Sequence, residues 1–131
     1  MSWKMELPVK STGLNDYVRS CRTNPHKAAN FVKTTENEMS RLVEGVEPYR
    51  GPFPVVIHFT WTEKDMRRDA DNIAFGKKFI LDTLVKCKII PNDSRQYIVG
   101  FTDRIVKGDR YNVSIEIEPA QNVLDSTIVY I

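Results

Sequence analysis

The sequence predicts one α+β domain in which helices pack on a small mixed sheet, with the element order β-α-β-α-β-β. The chain has 131 residues, the length of one domain, and its composition of 41% apolar and 27% charged residues is typical of a globular protein. Segments with an apolar period of two alternate along the chain with segments of helical period. We therefore expect residues 1–131 to form a single domain, in which residues 119–131 are a tail of open role.

The first half of the chain predicts two strands and one helix. Residues 3–8 are compatible with a short strand, whereas residues 10–24 predict a loop because Ser, Thr, Gly and Asn recur there. Apolar residues at steps of three and four predict a helix over residues 25–43, and Gly45 is placed to end it. Alternation of apolar and polar side chains predicts a strand over residues 54–61.

The second half predicts one helix and two further strands. A helix is expected over residues 72–86, followed by strands over residues 97–106 and 110–118. The Lys-Gly-Asp run at residues 107–109 predicts a hairpin turn between these last two strands. Residues 126–131 fit either an added strand or a partner-binding segment.

Composition and charge exclude several classes of protein. The net charge of +2 does not by itself predict nucleic-acid binding, although residues 1–35 hold six basic against two acidic side chains. No apolar run has the length of a membrane span or a secretory leader, so we expect a cytoplasmic protein without a membrane partner. Cys21 and Cys87 are predicted to be reduced, and His58 to be structural or on the surface, because the Cys and His spacing fits no zinc site.

The run Arg-Arg-Asp-Ala-Asp-Asn at residues 67–72 has the chemistry of a cation site. In an extended segment Asp69 and Asp71 point the same way, and Mg²⁺ prefers one or two carboxylates together with water and a substrate phosphate. The adjacent Arg67 and Arg68 are suited to hold a polyanion. A second interpretation is that Asp71 only caps the following helix and that the other charges are surface charges.

The helix that follows adds a lysine on the same side. Asp71, Lys78 and Asp82 fall within about 40° of one another around a helix, whereas Lys77 points about 100° away. A lysine above a pair of carboxylates is placed to contact a phosphate. The alternative is a plain ion pair between Lys78 and Asp82, worth about 0.3–0.5 kcal/mol.

These motifs together resemble the RusA family of Holliday junction resolvases, particularly its phage-associated branch. The resemblance rests on Arg-Arg-Asp-Ala-Asp-Asn, on a helix that ends Ile-Leu-Asp82-Thr-Leu, and on a loop Ile-Ile-Pro-Asn-Asp93-Ser, all within residues 57–118. It implies a small homodimeric α/β domain that uses Mg²⁺, with Mn²⁺ as a substitute, to nick two opposing strands of a four-way DNA junction. Such an endonuclease acts in DNA recombination and repair.

The resemblance also implies roles for individual residues. Asp69, Asp71 and Asp93 match the catalytic, metal-binding carboxylates. Lys78 matches the catalytic lysine, with Lys77 as the alternative because the segment before Asp82 is about one helical turn longer in this chain. Two residues are expected to orient the catalytic side chains without binding the metal themselves: Asp82 and Asn72. Phosphate contacts are expected from five basic residues: Lys64, Arg67, Arg68, Lys77 and Arg95.

Two other functions stay open, and so does a plain α+β domain without a nucleic-acid role. A non-catalytic DNA-binding module on the same fold would keep Arg67 and Arg68 without needing all three aspartates. A nuclease for other branched DNA, such as flaps or forks, would use the same residues. The loop has Asn92-Asp93 where the family often has two aspartates, and the residues after Pro119 have no counterpart in the resemblance.

Overall fold

Four strands build one mixed sheet. In the computed structural model, which describes residues 3–123, the strands are β1 (Trp3–Leu7), β2 (Val55–Glu63), β3 (Ile98–Lys107) and β4 (Asn112–Pro119). Their spatial order is β1-β4-β2-β3. β2 and β3 are parallel, and β4 is antiparallel to both of its neighbours. The predicted α+β class with a small mixed sheet is therefore confirmed.

Helices cover one face of this sheet. They are α1 (Leu14–Thr23), α2 (Pro25–Val43), α3 (Ala70–Ala74) and α4 (Lys77–Lys86), and a short 3-10 turn, Ala120–Asn122, follows β4. The covered face carries Ile57, Phe59 and Trp61 of β2, each at most 1% exposed. These side chains alternate along β2 with polar ones such as His58 and Thr60, which point to the opposite face, as the two-residue period of a strand requires.

The loop predicted over residues 10–24 is wrong for most of its length, because α1 lies within it. Ser, Thr, Asn and Cys are weak helix formers, and no residue of α1 is fully buried. Contacts with the core compensate: the Tyr17 ring lies 5.5 Å from the Phe75 ring and 5.9 Å from the Phe79 ring, between centroids. α1 is therefore stabilised by packing of one of its faces against the core. Local composition does not reveal this tertiary contact.

The helix predicted over residues 72–86 is two helices, α3 and α4, with Phe75 and Gly76 between them. The chain that follows β1 passes close to this point. A Cβ on Gly76 would lie 3.0 Å from the Cβ of Ser11 and 3.2 Å from the carbonyl oxygen of Thr12. Glycine thus allows the close approach at the place where the helical period is interrupted.

The hairpin predicted at residues 107–109 is also wrong. β2 lies between β3 and β4, so the connection passes over the end of β2 instead of joining neighbouring strands. Gly108 makes this crossing: its N–H donates to the carbonyl oxygen of Glu63 at 2.9 Å, and a Cβ would lie 2.6 Å from Cγ2 of Thr62. The local turn residues hold no information about a third strand inserted between two others.

The predicted long helix is confirmed as α2, from Pro25 to Val43. The Asn24 side chain caps it by accepting a hydrogen bond from the Lys27 N–H at 2.7 Å. Gly45 follows its end with φ +82°, a conformation that favours glycine.

Cys21 and Cys87 are both free, as predicted. The alternatives for residues 126–131 concern a segment outside the described residues. Between residues 3 and 123, no helix has both the length and the apolar character that a membrane crossing requires.

Candidate metal and nucleic-acid site

An ion pair holds the segment that carries Asp69 and Asp71. Nε and Nη2 of Arg68 donate to the two carboxylate oxygens of Glu63 at 2.9 and 2.7 Å. Both side chains are withdrawn from solvent, at 14% and 5% exposure. A guanidinium matches a carboxylate in this two-bond geometry, so the pair fixes the backbone just before Asp69 to the C-terminal end of β2.

The same guanidinium joins this segment to the chain that follows β1. Nη1 of Arg68 donates to the carbonyl oxygen of Ser11 at 2.8 Å, and Nη2 donates to its hydroxyl at 3.2 Å. The Ser11 hydroxyl in turn donates to the carbonyl oxygen of Ile73 at 3.1 Å. Because Ser11 is buried, water competes little for these hydrogen bonds.

Asn72 completes the attachment on the far side of the carboxylates. Its Oδ1 accepts a hydrogen bond from the N–H of Asn15 at 3.0 Å. Gly13 leaves room for this contact, because a Cβ there would lie 2.8 Å from that oxygen and 3.1 Å from Nη1 of Arg68. Residues 68–73 are thus attached to the end of β2 and to the chain after β1. We call the residues that make this attachment, which include Arg68 of the segment itself, the clamp: Ser11, Gly13, Asn15, Glu63 and Arg68.

Asp69 and Asp71 extend from the clamped segment and are exposed. Asp69, not Asp71, occupies the position before α3, and its side chain makes no capping hydrogen bond, so Asp71 is not the cap of this helix. Asp71 Oδ1 accepts the N–H of Asn72 at 2.9 Å. Within residues 3–123, no Lys, Arg or His nitrogen forms an ion pair with either carboxylate. Asp71 thus lies in the first turn of a helix and not in the extended segment expected from the sequence, so a strand-like backbone does not align the two side chains. Exposed carboxylates together with water suit Mg²⁺.

Asp93 lies at the other end of the sheet. The adjacent Ser94 accepts a hydrogen bond from the N–H of Ile98 at 2.9 Å through its carbonyl oxygen. Ile98 pairs with Val55 at the N-terminal end of β2, whereas the clamp is attached to Glu63 at the C-terminal end. Eight residue steps of about 3.3 Å separate these two ends of β2 by about 26 Å.

The three carboxylates predicted as one metal site are thus not assembled within this chain. In the described part of the molecule, no group of three or more His, Cys, Asp or Glu side chains is arranged to hold a metal ion. The physical reason is the parallel pairing of β2 and β3, since a crossover between parallel strands carries the chain from one end of the sheet to the other. Asp69 and Asp71 remain as exposed carboxylates two residues apart, at the start of α3 on the clamped segment.

Lys77 and Lys78 begin α4 in different surroundings. Nζ of Lys77 donates to Oδ2 of Asp103 at 2.7 Å and lies 4.7 Å from the ring centroid of Phe101 and 5.4 Å from that of Phe59. Its side chain is 18% exposed, so Lys77 joins α4 to β3. Lys78 is exposed, and no carboxylate between residues 3 and 123 forms an ion pair with it. Lys78 is therefore the one of the two that is available to a ligand.

Asp82 takes part in the packing of α4 against α2. The alternative ion pair between Lys78 and Asp82 is not among those formed by residues 3–123. Instead, burial and the neighbouring Asp82 carboxylate raise the pKa of Glu36, a residue of α2, above its ordinary value. The resemblance implied a different role for Asp82, as a support of the lysine.

The residues predicted to contact phosphates differ in their availability. Arg68 is committed to the clamp and Lys77 to Asp103, so neither presents a free cation to solvent. Lys64 and Arg67 are exposed close to Asp69 in sequence, and the Arg67 guanidinium lies 3.9 Å from the carboxylate of Asp65. Arg95 is exposed at the other end of the sheet, beside Asp93.

Two polar networks escape sequence analysis. Oδ1 of Asp103 accepts the indole N–H of Trp61 at 2.9 Å, in addition to its contact with Lys77. On the uncovered face of the sheet, His58 lies between the Thr102 hydroxyl at 2.6 Å and the Glu118 carboxylate at 2.9 Å. The first network joins β2, β3 and α4, and the second joins β2, β3 and β4, so no motif records them. The available signal is a charged residue at an inward position of a predicted strand, as Asp103 is.

Comparison of the chain with models of known protein families and with curated proteins found no match. The geometry of the clamped carboxylates is therefore the basis for assigning a function.

Proposed function

We propose that this protein is a Mg²⁺-dependent endonuclease that acts on branched DNA, with the four-way junction as its substrate. The observation that carries the proposal is the pair Asp69 and Asp71, two exposed carboxylates on a segment that the clamp holds in place. Lys64 and Arg67 precede the pair and Lys78 follows it, so exposed cations flank the carboxylates on both sides in sequence. This combination suits a phosphodiester bound beside a divalent cation.

The residues have distinct tasks in this proposal. Asp69 and Asp71 would hold Mg²⁺, or Mn²⁺ in its place, and the ion would supply polarisation of the scissile phosphate and activation of water. Lys78 stabilises the negative charge that develops on the phosphate oxygens. Lys64 and Arg67 position neighbouring phosphates without reading the base sequence. The clamp orients both carboxylates before the substrate binds, which reduces the reorganisation that the reaction requires.

The proposal includes a symmetric homodimer. Resolution of a four-way junction needs two nicks in strands of the same polarity, and the described residues provide one clamped pair of carboxylates. Two chains related by a two-fold axis supply both sites. Light scattering at micromolar protein concentration measures this, with an expected mass of twice 15.1 kDa. A monomer mass, both free and on junction DNA, contradicts the paired-nick mechanism.

A non-catalytic DNA-binding module is the second candidate function. The observation that favours it is the distance of Asp93 from the clamp, which leaves the cation site with two carboxylates where the resemblance implies three. Such a module would bind junction DNA and leave its strands intact in every divalent cation.

Cleavage of a labelled synthetic four-way junction, beside a flap, a fork and a plain duplex, tests these functions. We expect symmetric nicks in the junction with Mg²⁺ and none with EDTA. Binding without cleavage supports the non-catalytic module, and faster cleavage of the flap or fork supports the other branched substrates. Absence of both binding and cleavage contradicts all three functions. Asp69→Asn is the matched control for a contaminating nuclease.

A further inference from the structure

We infer that the exposed turn between α1 and α2 binds phosphates of a duplex DNA arm next to the carboxylate site. α1 ends at Thr23 and α2 begins at Pro25, so Asn24 alone joins the two helices. All seven residues from 21 to 27 are exposed, and we call these residues the tip. The inference rests on the proposed function, because it names a second surface for the same DNA substrate.

The tip and the helical turns beside it carry one sign of charge. Residues 17–35 contain two arginines, two lysines and one histidine, and no aspartate or glutamate. All five are exposed: Arg19, Arg22, His26, Lys27 and Lys33. Among residues 3–123, the one carboxylate that forms an ion pair with any of them is Asp16, 3.8 Å from Arg19. A patch of this kind attracts a polyanion, whereas the chain as a whole is nearly balanced at 19 basic and 17 acidic residues.

The hairpin of α1 and α2 is anchored at its base. The Tyr17 ring lies 6.3 Å from the Phe31 ring and 5.9 Å from the Phe79 ring, which ties both helices to the core. At the tip itself, the hydrogen bond from the Lys27 N–H to Asn24 Oδ1 fixes the start of α2. The basic side chains therefore project from an ordered backbone, and little backbone freedom is lost when they bind.

The hairpin also begins at the carboxylate site. Asn15, in the first turn of α1, donates to the Asn72 side chain beside Asp71. Arg22 lies seven residues further along α1, which is about 10 Å at 1.5 Å per residue. That distance corresponds to about three base-pair steps of duplex DNA at 3.4 Å each. One duplex arm can therefore contact the carboxylate site and the tip together.

Neutralising two charges of the tip tests the inference. The variant Arg22→Gln/Lys27→Gln replaces two exposed cations by uncharged polar side chains. The matched control, Arg41→Gln/Lys86→Gln, also removes one arginine and one lysine, from exposed neighbouring positions near the far ends of α2 and α4. Binding of a labelled four-way junction is measured by fluorescence anisotropy between about 50 and 200 mM KCl, with Ca²⁺ replacing Mg²⁺ to suppress cleavage.

Each phosphate contact makes the slope of log K against log salt concentration more negative by about 0.9. The tip variant lacks two such contacts, so the magnitude of its slope should be smaller by about 1.8. We expect the control variant to keep the wild-type slope. An unchanged slope in the tip variant overturns the inference, and so does an equal decrease in the control, which would reflect net charge alone. Tighter binding of duplex RNA than of DNA, with the same dependence on the tip, also overturns the DNA assignment.

The readout separates this inference from the proposed function. A slope that depends on the tip, in a protein that never cuts DNA with Mg²⁺, supports the DNA-binding surface and contradicts the nuclease. Normal cleavage with an unchanged slope supports the nuclease and contradicts the DNA-binding role of the tip. Melting curves followed by circular dichroism show that both double variants are folded, as expected for exposed side chains.

Discussion

The two ends of β2 each lie near an aspartate-containing segment, but the two segments are held very differently. At the C-terminal end, the clamp attaches residues 68–73 to the chain after β1 through partners 57 and 62 residues away in sequence. At the N-terminal end, residues 91–96 are all exposed, and the Asn92 side chain accepts only the nearby N–H of Ser94, at 3.0 Å. Long-range contacts that orient the backbone position an aspartate as a ligand, and the residue type alone does not do so.

Asp71→Asn tests the clamped end and has the largest expected effect. We expect junction cleavage to fall by at least about 100-fold, because an amide replaces an anionic cation ligand. Folding should be unchanged, because Asp71 is exposed. Initial cleavage rates and circular dichroism measure the two quantities. A rate near that of the wild type, with junction binding intact, would place the cation site elsewhere.

Arg68→Ala tests the clamp itself. The substitution leaves the Glu63 carboxylate buried without its partner, and removal of one member of a buried ion pair costs about 3–5 kcal/mol. The neighbouring Arg67 is exposed, so Arg67→Ala should change the free energy of unfolding by less than about 0.5 kcal/mol. Urea denaturation measures both variants. Equal losses would mean that the clamp does not stabilise this end of the sheet.

The two lysines that begin α4 should respond in opposite ways. Lys78→Ala should lower the cleavage rate about tenfold without loss of stability, because it removes the exposed cation to which the proposed function assigns the phosphate charge. Lys77→Ala should lower the free energy of unfolding by about 1–3 kcal/mol, because Asp103 loses its charged donor. Cleavage rates and urea curves of both variants give the comparison. The reverse ranking in cleavage, with junction binding preserved, would assign the catalytic role to Lys77.

Asp93→Asn tests the other end of the sheet. We expect a change in cleavage of less than about twofold, because about 26 Å of β2 separates the two ends of the sheet. The rate is measured beside that of Asp71→Asn on the same junction. A loss as large as that of Asp71→Asn would show that a second chain brings its own Asp93 to the site.

Glu36→Gln is expected to have the smallest effect, and the effect should depend on pH. Burial and the neighbouring Asp82 carboxylate raise the pKa of Glu36 in the folded chain. The stability that this carboxyl contributes is therefore present below its unfolded pKa and lost as the pH rises through its folded pKa. At neutral pH the glutamine variant should be more stable by about 0.5 kcal/mol, a gain that disappears in acid. Urea midpoints at both pH values measure it, with the exposed Glu38→Gln as control, and a gain that persists in acid would show that the Glu36 charge is not its cause.

Patterns among neighbouring residues are sufficient to predict the single α+β domain and the elements whose signals are local. The alternation in β2, the helical period of α2 and the glycine at position 45 depend on residues two to five positions apart, so the pattern records them. The same holds for the position of Asp69 and Asp71 at the start of the helix that follows β2. These features follow from backbone geometry and need no knowledge of distant contacts.

Which segments of the chain meet depends on packing between distant parts of the fold. The insertion of β2 between β3 and β4 turned a predicted hairpin into a crossing and placed Asp93 at the end of the sheet away from the clamp. The same packing turned Arg68 inward to Glu63 while Arg67 stayed in solvent, although the two are adjacent and identical in type. Strand order and ion-pair partners depend on contacts between residues tens of positions apart. A periodic pattern along the chain does not report such contacts, because it relates each residue only to its near neighbours.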